Sequence, residues 1–262
     1  MEAPLMEVLV AAAEAAADVA GAVIRPLFRS ALLVEAKGDA SPVTEADKAA
    51  ERSIRALLAE RFPQHGVIGE EYGADRPEAE YVWVVDPIDG TRAFVTGRPL
   101  FGSLIGLLHR GRPVLGLIDQ PSTGERWIGV AGRPLAFRSP MGGTPKVRAC
   151  ASLAEAELSC TSPEMLDAAQ APRHARLRQA VRRVTWGGDC YAYGLLALGL
   201  VDVIAEGDLK PWDWVALQPV IESAGGSLTD WQGRPMRLDG PGEALALGDP
   251  SLLPAVTALL AD

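Results

Sequence analysis

Tyr81-Val82-Trp83-Val84-Val85-Asp86-Pro87-Ile88-Asp89-Gly90-Thr91 is the stretch on which the reading of this chain turns. Its first five residues are aromatic or β-branched, the composition of a buried strand. The strand is expected to stop at Asp86-Pro87, because proline has no N–H to give to a ladder. Asp89 follows three residues after Asp86, so two carboxylates converge while the Ile88 carbonyl points between them. Hard cations such as Mg²⁺ take oxygen ligands of this kind. Gly90 and Thr91 offer backbone N–H groups at a helix start, which suits a phosphate. A polar turn built on Asp-Gly is the plainer alternative.

Upstream, Leu5, Val8, Leu9, Ala12, Ala16, Val19 and Val23 recur at steps of three and four, an amphipathic helix over residues 5–24. A loop through Lys37, Gly38, Asp39 and Pro42 leads to Thr44-Glu45-Ala46-Asp47, which opens a second helix ending before Pro63. Downstream, Ser103–His109 and Pro113–Ile118 flank Arg110-Gly111-Arg112 as an antiparallel hairpin, and Arg126–Val130 extends that sheet. Gly142-Gly143-Thr144-Pro145 divides the chain into an α+β half, 1–143, and an α/β half, 144–262. In the second half, strands are expected at Lys146–Ala151, Asp202–Ala205 and Gly226–Thr229. Helices are expected at Pro163–Ala169, Arg173–Val181, Asp189–Leu198, Trp214–Ala224 and Pro250–Leu260.

Composition narrows the function. The 262 residues are 48% hydrophobic and 23% charged, enough for a sizeable core and too apolar for a disordered chain. A net charge of −9 and the absence of a basic run argue against nucleic acid as a partner. An anionic substrate stays open, since a bound metal inverts local charge. Cys150, Cys160 and Cys190 have neither disulfide-framework nor zinc spacing. The first twenty residues carry acids and no basic residue, so no signal peptide is expected, and the apolar run at Gly194–Ile204 is too short for a bilayer. The expectation is a soluble cytoplasmic protein with no membrane partner.

Three further acidic features have ordinary explanations when taken singly. Glu70 and Glu71 after Val67-Ile68 could be a solvated turn, Asp213 between Trp212 and Trp214 an N-cap, and Asp47 the acid of a capping box. Together, E-E, then D-P-I-D-G-T, then W-D opening a late helix resemble the inositol monophosphatase-like family of Mg²⁺-dependent, lithium-sensitive phosphatases. The resemblance runs from Lys37 and Ser41–Asp47 to Ala224-Gly225-Gly226. It implies an alternating α-β-α-β-α layered sandwich, α/β in the broad sense, forming one catalytic unit and a homodimer.

The same resemblance implies two or three Mg²⁺ ions. Glu70, Asp86 and the Ile88 carbonyl correspond to ligands of the first, and Asp86, Asp89 and Asp213 to ligands of the second. Glu71 would reach a third largely through water. Asp47 and Thr91 correspond to the pair that orients and deprotonates the attacking water, and Gly90 and Thr91 to the phosphate donors. Phosphoryl transfer with metal-activated water needs no histidine. His65, His109 and His174 lie outside every motif and read as surface or packing residues, and Cys190 as a buried inert thiol.

Two places bear on the substrate. Arg92-Ala93-Phe94 after the motif, and Gly187-Gly188-Asp189-Cys190-Tyr191-Ala192-Tyr193, are similar to the histidinol-phosphate phosphatases of the family, which act in histidine biosynthesis. Inositol-directed members usually carry a small residue in place of Asp189. Histidinol phosphate carries an ammonium and an imidazole, so acids beyond the metal set, Asp189 and Glu206, favour it. Glu206 also suits a polyol, so only Asp189 discriminates, unless it merely caps the next helix. An inositol-type or broad monophosphatase, a 3′-phosphoadenosine nucleotidase and a non-catalytic relative remain as alternatives.

Overall fold

The computed structural model describes residues 3–30, 34–36 and 42–261, so Lys37, Gly38, Asp39 and Ser41 lie outside the described residues. Helix α1 (Ala3–Leu27) is followed by the antiparallel pair β1 (Val34–Ala36) and β2 (Pro42–Thr44), then by α2 (Glu45–Arg61). A capping box starts α2: Ala46 N–H donates to Thr44 Oγ1 at 3.1 Å, and Thr44 N–H donates to Asp47 Oδ2 at 2.8 Å.

Seven strands form the first sheet: β3 (Gly66–Gly69), β4 (Gly73–Asp75), β5 (Tyr81–Asp89), β6 (Gly102–His109), β7 (Arg112–Gln120), β8 (Glu125–Val130) and β9 (Ala136–Arg138). Their order is β4-β3-β5-β6-β7-β8-β9, with the short helix α3 (Thr91–Val95) after β5. The expected hairpin is β6–β7, and both residues of its turn, Arg110 and Gly111, have positive φ, as tight hairpin turns require.

The second sheet comprises β10 (Glu157–Cys160), β11 (Arg183–Trp186), β12 (Val203–Glu206), β13 (Ser227–Thr229) and β14 (Ala244–Leu247), in the order β11-β10-β12-β14-β13. Its helices are α4 (Gln170–Ala180), α5 (Asp189–Leu196), α6 (Pro211–Trp214), α7 (Leu217–Ser223) and α8 (Leu253–Leu260). Three cores separate five layers. Ala12, Ala16 and Ala20 of α1 and Ala50 and Ile54 of α2 pack with Trp83 and Val85 of β5. On the other face of β5, Val82 and Val84 meet Tyr193, Leu196, Leu217 and Val220 of α5 and α7, which also meet Ile204 and Ala246 of the second sheet. Leu177 and Val256 of α4 and α8 cover that sheet's far side. The α-β-α-β-α sandwich is thus the observed architecture.

A row of glycines seats the middle layer. Gly106, Gly116 and Gly129 are cross-strand neighbours on β6, β7 and β8. A Cβ on Gly116 would lie 1.9 Å from the Ala216 carbonyl oxygen, and one on Gly129 2.2 Å from that of Pro219. The backbone carrying Asp213 and α7 therefore rests directly on the sheet. Gly116→Ala is expected to destabilise the protein by about 1–3 kcal/mol, because a packed backbone must move. An unchanged melting temperature would disprove this seating.

Several boundaries differ from expectation. Lys146–Ala151 is not a strand: Val147 N–H goes to the Ala224 carbonyl at 3.1 Å and Cys150 N–H to Asp249 Oδ2 at 3.0 Å, so no ladder forms. The helix expected at Pro163–Ala169 is one 3₁₀ turn, Pro163–Met165. Asp167 Oδ1 accepts the N–H groups of Ala169 and Gln170 and starts α4 only there. The helix expected over Trp214–Ala224 is split into α6 and α7.

Candidate active site

Pro87 does not end β5, which continues to Asp89 through a register shift between Asp86 and Asp89. In a regular strand residues three apart point to opposite faces. The bulge adds the residue that turns both carboxylates to one side. Ile88 marks the change: it packs with α1 and α2 alongside Val85, although an uninterrupted alternation would have put it with Val84. Pro87 costs the ladder nothing at the bulge, and its carbonyl accepts the Ser103 hydroxyl at 2.7 Å.

On the face so created, Asp86, Asp89 and Asp213 bring carboxylate oxygens within 4.8 Å of one another. Asp213 arrives from the middle layer on α6. It is not the N-cap of that helix but a residue of its first turn, its Oδ2 accepting the Lys210 N–H at 2.7 Å. Glu70, in the turn between β3 and β4, shares a hydrogen bond with Asp86. Burial and the charges of Glu70, Asp89 and Asp213 hold the Asp86 carboxyl well above its usual range. Burial and the charges of Asp189 and Asp213 do the same to Asp89, and burial pushes Asp213 up to about 7. Oxygen-only donors that repel one another in a dry site fit a hard divalent cation, which would replace their protons.

Beside the cluster, Thr91 Oγ1 lies 3.1 Å from both Asp47 Oδ1 and the Ile88 carbonyl oxygen. Asp47 is buried, with Oδ2 held by the Thr44 N–H and by the Thr44 hydroxyl at 2.6 Å. Its capping function and its contact with Thr91 therefore coexist, one on each oxygen. Burial raises the Asp47 pKa, against the lowering hydrogen bonds from Thr44 and Thr91.

Glu70, Asp89, Thr91 and Asp213 border a cavity of about 350 Å³ whose walls also include Gly90, Arg92, Asp189 and Glu206, while Asp47, Asp86 and Ile88 lie behind this lining. Gly187, Gly188 and Asp189 have consecutive positive φ values of 83°, 124° and 45°. That run costs the two glycines little but strains a residue with a Cβ, although Asp tolerates it better than most. Asp189 is not the N-cap of α5: Gly188 holds that position, and Asp189 is the first helical residue. Its carboxylate lies over Gly90, where a Cβ would stand 2.8 Å from Asp189 Cγ, so Gly90 (φ 89°) makes room for it. Burial and the Glu206 charge raise its pKa to about 6, against Arg98 and Arg92. Gly187 and Gly188 are not among the cavity-lining residues; they shape the chain that delivers Asp189. The guanidinium of Arg92 stands 3.8 Å from Glu164, both largely exposed at the cavity.

The chain matches the inositol monophosphatase family over residues 5–260. It belongs to that family. The bifunctional chloroplastic phosphatase IMPL2 of Arabidopsis thaliana is 45% identical over 239 residues, 90% of this chain and 68% of that protein. A histidinol-phosphatase of Mycobacterium tuberculosis is 39% identical over 206 residues, 77% of this chain and 79% of that one. Among solved structures, an inositol monophosphatase from Zymomonas mobilis superimposes with a TM-score of 0.89 at 43% identity, covering 99% of both chains. The protein is therefore a phosphatase of the inositol monophosphatase family, whose enzymes use divalent metals, typically Mg²⁺.

Other expected residues fall away from the cavity or serve its walls. The backbone N–H of Glu71 is tied to Glu51 Oε2 at 2.8 Å, and Glu71 does not line the cavity. Glu206 is buried, accepting the Tyr193 hydroxyl at 2.7 Å and the Thr161 N–H. His65 is stacked between Phe62 and Tyr81, His109 stacks on Tyr81, and buried His174, pushed down to about 4 by burial, lies against Trp186 and Trp231. None of the three histidines lines the cavity. Cys190 does line it, its N–H donating to Asp89 Oδ2, and burial pushes its thiol pKa up, so the sulfur is a poor nucleophile. Glu51 was not anticipated; its signal was an acid one turn after Asp47 on the inner face of α2. No helix among the described residues is long and apolar enough to cross a membrane.

Proposed function

We propose that this phosphatase hydrolyses histidinol phosphate, with water, to histidinol and inorganic phosphate. The observation that carries the reading is Asp189, an acid outside the metal cluster that is strained into the cavity wall beside Gly90. An enzyme that only needed a helix start there would be served by glycine. A carboxylate at that place suits a substrate with an ammonium and an imidazole.

Glu70, Asp86 and the Ile88 carbonyl would hold one Mg²⁺, Asp86, Asp89 and Asp213 a second, and Glu71 a third through water. Bound there, Mg²⁺ supplies the positive charge that neutralises the phosphoryl group and acidifies water. The chain's own residues do the rest. Thr91 Oγ1, with its proton directed at Asp47 Oδ1, accepts the proton of the attacking water. Asp47 receives the threonine proton in turn, its other oxygen held fixed by Thr44. The N–H groups of Gly90 and Thr91 and the cation of Arg92 bind phosphate oxygens. Asp189 pairs with the substrate cation, Gly187 and Gly188 set its direction, and Glu206 takes the remaining donors of the alcohol. The same reading makes the protein a cytoplasmic homodimer.

The second reading, an inositol 1-phosphate hydrolase, draws on the bifunctional IMPL2 and on an inositol monophosphatase of Mesembryanthemum crystallinum, 35% identical over 240 residues. Phosphate release from histidinol phosphate, inositol 1-phosphate and 3′-phosphoadenosine 5′-phosphate with Mg²⁺ separates the readings. Histidinol phosphate is expected to have the highest kcat/KM; a clear preference for inositol 1-phosphate overturns the proposal.

Asp189→Asn sharpens the comparison. Asparagine tolerates positive φ as well as aspartate does, so the loop keeps its course. Removing a charge-assisted contact weakens use of the cationic substrate by about 1.5–3 kcal/mol, roughly ten- to two-hundred-fold. Hydrolysis of inositol 1-phosphate should change little. Equal losses on both substrates would show that Asp189 supports the site generally and does not read the substrate's charge.

A further inference from the structure

Asp47, Glu51 and Arg55 stand at one-turn intervals on α2 and face the edge of the active site. Asp47 meets Thr91, as described. Glu51, one turn on, is 0% exposed. Its Oε2 accepts the Glu71 N–H at 2.8 Å, and its Oε1 accepts the Tyr72 N–H at 3.2 Å and the Arg55 Nε–H at 2.8 Å. The Arg55 guanidinium continues to the Gly73 carbonyl.

The β3–β4 turn is thus gripped from the helix side along its length. From the sheet side, the Glu70 N–H donates to the Val85 carbonyl at 3.3 Å. A Cβ on Gly69 would fall 2.1 Å from Glu51 Oε1, so the glycine before Glu70 is what lets the carboxylate reach the turn. A fully buried carboxylate is costly unless paired and hydrogen-bonded. This one spends its hydrogen bonds on the backbone N–H groups of Glu71 and Tyr72, directly after Glu70, and on the arginine that extends the grip.

We propose that Glu51 is a positioning residue for the metal centre. It touches neither substrate nor metal; it fixes the backbone that presents Glu70 to Asp86 and sets the direction of Glu71. Because Asp47 lies on the same helix, α2 keeps the Glu70 turn and the Asp47–Thr91 pair in one register. The proposal rests on the reading of Glu70 as a metal ligand.

The test is calorimetric titration of Mg²⁺ into the metal-stripped protein, with melting curves for each variant. In Glu51→Gln an amide N–H₂ faces a backbone N–H or the Arg55 guanidinium, so the turn loosens. Mg²⁺ affinity is expected to fall about tenfold or more, as when the groups orienting metal ligands are lost. The Mg²⁺ concentration for half-maximal activity rises in step, while kcat at saturating Mg²⁺ stays within a few-fold of wild type. Glu51→Asp, which keeps the charge but draws it back by one methylene, gives the same signature should the glutamine variant not fold. Leu58→Ala, buried on the same helix face, lowers the melting temperature without changing Mg²⁺ affinity. Wild-type Mg²⁺ affinity in the Glu51 variants, or an equal loss in Leu58→Ala, overturns the proposal alone. Failure of the wild-type protein to bind Mg²⁺ overturns the ligand reading beneath it as well.

Discussion

Asp89→Asn is expected to lower turnover by about two to four powers of ten, which at 1.36 kcal/mol per decade is about 3–5 kcal/mol of transition-state stabilisation. Asp89 is one of three carboxylates whose oxygens meet within 4.8 Å, and asparagine removes its charge at nearly constant shape. The amide oxygen can still accept the Cys190 N–H that Asp89 Oδ2 now takes, so α5 keeps its position. Burial and the charges of Asp189 and Asp213 disfavour the ionised form of Asp89. The metal-free variant should therefore melt no lower than the wild type, and higher if the charge is a net burden. The two measurements belong together: turnover at saturating Mg²⁺, and the melting temperature after chelation. Asp213→Asn should behave alike, since its carboxyl is raised to about 7 by burial in the same cluster. Near-normal turnover in either variant would remove that residue from the ligand set.

The acids themselves were legible in the sequence, but the device that joins them was not. The D-x-x-D spacing announces two carboxylates, yet a regular strand would place them on opposite faces. The register shift at Pro87 and Ile88 depends on pairing with β6, a non-local contact that a single-strand reading does not contain. The same limit explains the second sheet. Arg183–Trp186 is an edge strand with mostly exposed side chains, and Ala244–Leu247 has the composition of a helix but is buried between β12 and β13. Neither offers the alternation that marks a half-buried strand. The helices and the hairpin were accessible because they carry local periodicity, whereas the layer order came from the motif resemblance and not from periodicity. Asp189 shows a third kind of limit: its sequence context fits an N-cap, and only its φ of 45° separates a cap from a strained helical residue turned toward Gly90.

Thr91→Ala should slow the chemical step by about two to four powers of ten, the range lost when a proton-transfer group is removed, and leave Mg²⁺ binding nearly unchanged. The hydroxyl sits 3.1 Å from Asp47 Oδ1 and from the Ile88 carbonyl oxygen, and it is no part of the carboxylate cluster. Its loss deprives a buried Asp47 of one lowering hydrogen bond, so the Asp47 pKa moves further up and the fold loses about 0.5–1.5 kcal/mol. Asp47 keeps its orientation even so, because Thr44 holds the other oxygen through its N–H and its hydroxyl. Thr91→Ser, which restores a hydroxyl on the same backbone, should recover most of the rate; a role in packing the threonine methyl would not be rescued this way. Single-turnover rates beside calorimetric Mg²⁺ titrations distinguish the possibilities. A chemical rate unchanged in Thr91→Ala, with metal affinity lost, would make Thr91 a support of the metal centre and leave Asp47 without the hydroxyl through which it reaches the attacking water.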